Sequence, residues 1–347
     1  MKTGFGAAMR RFILVLSLAT FLLGAIILVT QVKKERLIVS PQVERPISQE
    51  KLLKKYSFRS LRGRDFPGSE INFSEVLEED ESFTAYLFHF TSDGKSISGL
   101  ANIPKEAGVY PVIVMFRGYV GQEIYETGMG TKNTAEAFAL QGFITLAPDF
   151  LGYGDSDFPS VNPMEERLET YTTALNLLAS VKNLPETLKL AGINEIEVDT
   201  NKVGLWGHSN GGQIALSVLA ITGQSYPTVL WAPVSKPFPY SILYYTDEFE
   251  DRGKALRRVL ADFEKTYDVE EYNPINFFDW MKAPIQLHQG LNDEAVPQAW
   301  SDELYELLDE LRVKVSYYTY PGEDHNFTQG SWSEAIRRSV VFYREEP

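Results

Sequence analysis

Val203-Gly204-Leu205-Trp206-Gly207-His208-Ser209-Asn210-Gly211-Gly212 is a short apolar run that breaks into glycines around one serine. Val203 to Trp206 reads as a buried strand, and Gln213 to Thr222 reads as a helix. Between them lies Gly-x-Ser-x-Gly. A chain passing from strand to helix at one residue must turn sharply, which holds that residue in a strained backbone conformation. Gly207 and Gly211 supply the close approach such a turn needs. The helix behind the turn aims its positive end at Ser209. This is the local setting of a serine nucleophile, and it directs attention to the loops after the neighbouring strands.

Outward from that turn the chain alternates. Phe83 to Thr91 and Ser96 to Ile103 are strand-like runs around Ser92-Asp93-Gly94-Lys95, a hairpin signal. Tyr110-Pro111-Val112-Ile113-Val114-Met115-Phe116 is continuously apolar, as expected of a strand buried on both faces. A helix is expected from about Thr134 to Gln141, a strand over Phe143 to Ala147 and a helix over Glu166 to Val181. A strand over Thr228 to Ala232 follows the serine helix. The alternation pauses at 235–280, a stretch rich in Tyr, Phe, Asp and Glu with helices expected near 241–250 and 254–266. It resumes with strand Pro284 to His288, helix Gln298 to Leu311, strand Lys314 to Tyr318 and helix Trp332 to Tyr343. The pattern predicts an α/β fold: a mostly parallel central sheet with helices on both faces, an N-terminal antiparallel hairpin and a small helical cap.

A serine hydroxyl is a poor nucleophile at neutral pH and needs an adjacent base, itself oriented by a carboxylate. In open α/β sheets such groups gather beyond the carboxyl ends of the strands. Asp293 stands in the loop after the strand Pro284 to His288, and His325 in the Gly-containing loop after the last strand. The order Ser209, Asp293, His325 is the nucleophile–acid–base order of one known arrangement of this chemistry. A helix-capping role for Asp293, with Glu294 as the acid instead, is the competing reading. His288 and His208 read as packing residues, Asp324 as solvent-facing and His89 as remote. A tetrahedral intermediate needs two donors at its oxyanion; the backbone N–H groups of Asn210 and Tyr119 are the candidates. Arg117, Tyr153, Tyr240 and Tyr244 are candidates for substrate contact. Asp149 reads as a structural acceptor for loop N–H groups.

The chain has 347 residues, 44% of them aliphatic or aromatic, and no cysteine. Disulfides, thiol catalysis and cysteine metal sites are therefore excluded. The four histidines are scattered, and no His-Glu-x-x-His occurs, so a zinc site is not expected. The net charge is −14, with +3 over 1–30 and +7 over 31–64, leaving −24 over 65–347. A domain that acidic repels nucleic acid, which is not expected as a partner. Phe12 to Thr30 is 19 uncharged, mostly apolar residues, about the length that crosses a bilayer. The run is longer than a signal-peptide core and lacks a small-x-small end. The expected organisation is a tail at 1–11, a transmembrane anchor at 12–30 in the lipid bilayer, a basic stalk and linker at 31–82, and a catalytic domain at 83–345 with a cap insertion at 235–280. That makes a single-pass membrane protein with its catalytic domain outside the cytoplasm. The stalk reads equally as a headgroup-binding segment or a solvated linker.

Residues from about 83 to 345 resemble the α/β-hydrolase superfamily through Gly207-His208-Ser209-Asn210-Gly211-Gly212, Asp293 before Val296-Pro297, and His325. The closer resemblance is to the catalytic domain of the prolyl oligopeptidase (S9) family and its dipeptidyl-aminopeptidase-like and acetyl xylan esterase-like relatives. Arg117-Gly118-Tyr119 looks like the His-Gly-Tyr oxyanion loop of the esterase branch. The resemblance implies acyl transfer through a serine acyl-enzyme without metal or cofactor. Prolyl oligopeptidases carry a β-propeller, and the roughly 50 residues between the apolar run and this region cannot hold one. The expectation is a membrane-anchored serine hydrolase acting on a small ester or short peptide. An S9-type peptidase and a catalytically inactive hydrolase-fold binding module are the alternatives.

Overall fold

A computed structural model describes residues 51–346, and from Leu52 onward the chain is one compact unit. A 3-10 turn at Leu52–Tyr56 and helix α1 (Phe58–Arg62) open it. Then come β1 (Asn72–Glu79), β2 (Phe83–Ser92), β3 (Lys95–Pro104), β4 (Gly108–Phe116), α2 (Lys132–Ala139), β5 (Ile144–Pro148), α3 (Pro163–Ser180) and α4 (Leu184–Leu190). β6 (Ile196–His208), α5 (Asn210–Thr222) and β7 (Thr228–Trp231) follow. The insertion carries α6 (Tyr240–Leu243) and α7 (Lys254–Glu264), and β8 (Ile285–Gly290), α8 (Gln298–Glu310), β9 (Val315–Tyr320) and α9 (Trp332–Glu345) complete the chain.

Among the described residues nine strands form one sheet, ordered β1-β2-β3-β5-β4-β6-β7-β8-β9. β1, β2, β3 and β5 pair antiparallel. From β5 through β9 every pairing is parallel. The β4 run explains why the sheet needs cover on both sides. Val112, Val114 and Phe116 enter one core with Leu175, Ile214 and Leu304. Ile113 and Met115 enter the opposite core with Phe138, Ile336 and Val340. Side chains alternate across a strand, so a strand between two helix layers is apolar at every position. In β6, Leu205 and Trp206 divide between the two cores in the same way. Local signals set the helix ends. The Asn162 side chain accepts the N–H groups of Met164 and Glu165, with Pro163 in the first turn of α3. Gly223 closes α5 in the left-handed conformation.

The described chain begins its folded part earlier than the expected stalk allows. β1 pairs with β2 along its length but is almost wholly exposed, so as an edge strand it carries no apolar alternation to read. Phe58 stacks on Phe277 with ring centroids 5.1 Å apart. Arg62 lies over Trp280 and donates to the carbonyl of Ala220 at 3.1 Å, and Arg64 pairs with Asp93. These basic residues bind the folded unit rather than standing on a free linker. The membrane assignment is likewise corrected: among the described residues no helix is long and apolar enough to cross a membrane. The apolar run at 12–30, on which that expectation rested, lies outside the described residues, as do 1–11 and 31–50.

Candidate active site

Ser209 joins β6 to α5 with φ 57° and ψ −121°. A positive φ costs a non-glycine residue about 1–3 kcal/mol and persists only where surrounding contacts impose it. Here the Ser209 N–H donates to the Trp231 carbonyl at 3.0 Å, and its carbonyl accepts the N–H groups of Gly212 and Val234 at 2.9 Å each. The glycines are steric requirements. A Cβ on Gly211 would overlap the Phe116 carbonyl oxygen, and one on Gly207 would lie 2.5 Å from the Gly211 carbonyl oxygen.

β8 and β9 bring the acid and the histidine together. A Cβ on Gly290 would lie 2.5 Å from the Glu323 carbonyl oxygen and 2.6 Å from that of Asp324, so only glycine lets the two loops close. The Asn292 N–H donates to the Glu323 carbonyl at 2.9 Å. Asp293 Oδ2 then sits 2.8 Å from His325 Nδ1. Its Oδ1 accepts the N–H groups of Ala295 at 2.9 Å and Val296 at 2.8 Å. The Asp293 side chain is fully buried, while that of His325 is 17% exposed. A carboxylate beside Nδ1 selects the tautomer protonated there, which leaves Nε2 free to accept a proton. Asp324, beside the histidine, accepts the N–H groups of Asn326 and Thr328. Its bonds to Thr328 lead in pulling its pKa down to about 2.

His208 links the two halves. Its Nε2 lies 2.9 Å from the His325 carbonyl oxygen, and the two imidazole rings are 4.6 Å apart. Burial, reinforced by the neighbouring His325, pushes its pKa down to about 4. A neutral ring facing a carbonyl must be the donor, so Nε2 carries the proton. Among the described residues no hydrogen bond joins the Ser209 hydroxyl to His325; His208 connects them, covalently to the serine and by hydrogen bond to the histidine loop. The loop after β4 meets this point too: a Cβ on Gly118 would lie 3.0 Å from Ser209 Cβ. That brings the Tyr119 backbone toward the serine, while the residue as a whole is 81% exposed. Asn210 opens α5, where the first N–H groups have no partner within the helix.

The sequence model of the dienelactone hydrolase family matches residues 97–339. The chain belongs to that family. Dipeptidyl peptidase family member 6 of Caenorhabditis elegans is 29% identical over 133 residues, 36% of this chain, and the chain spans only 17% of that relative's length. A puromycin-hydrolysing peptidase of Mycobacterium tuberculosis superposes with a TM-score of 0.56 at 19% identity, covering 77% of this chain and 40% of that one. Acetyl xylan esterase 1 of a Thermoanaerobacterium species superposes with a TM-score of 0.53 at 19% identity, covering 84% and 93%. These structures share the α/β-hydrolase fold.

Not every expected contact residue of this dienelactone hydrolase family member faces Ser209. Arg117 is turned inward, which corrects its reading as a substrate ligand. It is 6% exposed, donates to the carbonyls of Gly118 and Asp149 at 2.9 Å each, and lies 4.0 Å from the Tyr153 ring centroid. Tyr153 is committed to the same brace, its hydroxyl donating to the Val120 carbonyl at 3.1 Å. Asp149 is a structural acceptor as expected, but its donors are the hydroxyls of Ser98, Tyr125 and Thr127. Tyr240 and Tyr244 gather on Trp300 of α8 with Tyr245, keeping exposed surface. Sequence reading places Tyr245 among the cap aromatics and misses Gln289. The Tyr245 hydroxyl donates to the Ala295 carbonyl in the acid loop at 3.1 Å. Gln289 Nε2 donates to Asp293 Oδ2 at 3.1 Å, and its Oε1 accepts from Ser301 at 2.7 Å. A polar residue at the end of a buried strand, directly before the acid loop, was the available signal for Gln289.

Proposed function

We propose that this hydrolase works through Ser209 as nucleophile, His325 as base and Asp293 as the acid that orients it, with esters of small acyl groups as substrates. The observation that carries the reading is the Asp293–His325 pair, 2.8 Å apart, held by His208 against the strained Ser209 turn. Ser209 Oγ bonds to the substrate carbonyl carbon while its proton passes to His325 Nε2. The Asn210 and Tyr119 N–H groups donate to the resulting oxyanion. The C–O bond to the alcohol then breaks, and the leaving oxygen takes the proton from His325. Water repeats the sequence on the acyl-enzyme, releasing the acid and free Ser209. The hydrogen bond from serine to base commonly closes only once substrate is bound, so an open distance in the free site fits this role. The 235–280 insertion acts as a cap, with Tyr240 and Tyr244 on its outer wall.

A peptide-cleaving reading is supported by the nematode relative. The ester reading is favoured because residues 97–339 match the dienelactone hydrolase family. The test is labelling by a fluorophosphonate, wild type beside Ser209→Ala. The expected result is labelling of the wild type alone, and loss of turnover in the variant by about 10⁶. Failure to label a folded wild type would favour an inactive binding module. Side-by-side rates on chromogenic esters and aminoacyl anilides separate esterase from peptidase.

A further inference from the structure

A cavity of about 320 Å³ opens between the N-terminus of α2, the carboxyl ends of β6 and β7, and the start of α9. Among the described residues its lining includes neither Ser209 nor Tyr119 nor His325, so it is distinct from the proposed catalytic centre. Trp206 and Trp231 both line it, with ring centroids 5.5 Å apart. They are 1% and 3% exposed, and among the described residues neither indole N–H has a hydrogen-bond partner. Buried donors are nearly always paired, and an unpaired one costs about 1–3 kcal/mol. Two such donors at one cavity indicate a partner supplied from outside the chain.

The helix end that borders the cavity presents donors as well. The first N–H groups of a helix have no partner within it. In α2 the Lys132 N–H reaches the Gly128 carbonyl and the Ala135 N–H reaches the Thr131 carbonyl, each at 2.8 Å. Those of Asn133 and Thr134 have no partner among the described residues. Thr131 does not cap them, because its hydroxyl donates to the Gly128 carbonyl at 3.0 Å. Asn133 and Thr134 both line the cavity. Although the domain is acidic, the described lining holds no aspartate or glutamate. Lys132 is already paired with Glu78 and Glu136, so the donors left over are neutral N–H groups. Indole and peptide N–H groups only donate. Their partner must accept several hydrogen bonds, and negative charge suits the N-terminus of a helix.

We propose that this cavity binds a small oxyanion, a phosphate or a carboxylate, through Trp206 Nε1, Trp231 Nε1 and the first turn of α2. His208 belongs to the same lining, and its Nε2 meets the His325 carbonyl. An anion bound there touches the residue that holds the proposed base.

The indole N–H groups are their own probes. The chain has five tryptophans, so the full-length protein labelled with nitrogen-15 tryptophan gives five indole signals in an NMR correlation spectrum. Trp206→Phe, Trp231→Phe and Trp332→Phe assign the three that line the cavity. The wild type is titrated with sodium phosphate and with sodium acetate at constant ionic strength, made up with sodium chloride. The expected result is a saturating shift of the Trp206 and Trp231 signals with at least one oxyanion, while Trp280 and Trp300 stay in place. A response to phosphate alone identifies a phosphate site, and a response to acetate alone a carboxylate site. Asn133 is exposed, and an acid in the first turn favours a helix, so Asn133→Asp should fold while placing a resident carboxylate at the site. It should weaken binding about ten-fold, whereas Asn133→Ala, which keeps the backbone N–H, should bind like the wild type. Shifts no larger than chloride gives would leave the donors to water and overturn the site. Equal affinity in Asn133→Asp would place the anion elsewhere and overturn it too. The readout needs no turnover, so it is decided independently of Ser209.

Discussion

His208 Nε2 stands 2.9 Å from the backbone carbonyl oxygen of His325, so the residue before the proposed nucleophile holds the loop that carries the proposed base. The bond requires His208 to be neutral, and burial keeps it so above about pH 4. His208→Phe removes the donor and leaves a carbonyl without its partner, at a cost of about 1–3 kcal/mol in stability. Because the base would then be free to shift by a fraction of an ångström, kcat is expected to fall about 10²-fold. His208→Gln, which keeps a donor, should retain more of both. Steady-state rates on a chromogenic ester beside thermal melts check this. A Phe variant with unchanged kcat would show that the histidine loop holds itself.

Asp293 offers a sharper test of the same constellation. Oδ1 accepts two backbone N–H groups, and Oδ2 meets His325 and Gln289. Asn in its place offers one oxygen where two are needed. With that oxygen held by the backbone donors, the amide NH₂ faces His325 and selects the wrong tautomer. The expected loss in kcat for Asp293→Asn is about 10⁴-fold with the fold retained. Rate measurements together with circular dichroism decide it; an active Asn variant would move the acid to Glu294.

Gly211→Ala tests the turn itself. The added methyl would overlap the Phe116 carbonyl oxygen in the centre of the sheet, where neither strand nor helix can yield cheaply. Overpacking of this kind costs typically about 1–3 kcal/mol. The melting temperature should fall by several degrees, and labelling of Ser209 should slow as the turn distorts. An unchanged melt would mean that α5 can slide along the sheet.

What the sequence made legible follows from periodicity and loop chemistry. β4 and the second part of β6, Val203 to Trp206, announced themselves because burial on both faces leaves them apolar, and Asp293 and His325 stood in the loops after the later strands β8 and β9. β1 gave no sign because an exposed edge strand has no buried face. The first part of β6, Ile196 to Lys202, was equally hidden: its side chains are largely polar, and its pairing is with Gly108–Pro111 at the rim of the sheet. Arg117 was misjudged because an arginine in an oxyanion loop suggests substrate. Its place among Tyr125, Phe150 and Tyr153 depends on two loops that meet only in three dimensions.

Two histidines, His288 fully buried and His208 half-buried, make the fold sensitive to acid. His288 is fully buried, with Nδ1 2.6 Å from the Tyr320 hydroxyl and Nε2 2.8 Å from Gln286 Oε1. Burial leads in pushing its pKa down to about 3, and His208 is held at about 4. In the unfolded chain both return to about 6.5. Between pH 6.5 and 4 the unfolded state therefore binds protons that the folded state refuses, and stability rises with pH across that window. The contribution is fully present above about pH 6.5 and drains away as the pH falls toward 3–4, at up to about 1.4 kcal/mol per pH unit for each histidine. Urea unfolding at pH 7.5, 6.0 and 5.0 should show midpoints that fall with acid. His288→Phe loses two hydrogen bonds, so it should be less stable at pH 7.5 but lose less on acidification. A variant whose midpoint falls as steeply as the wild type would assign the acid sensitivity to the carboxylates instead.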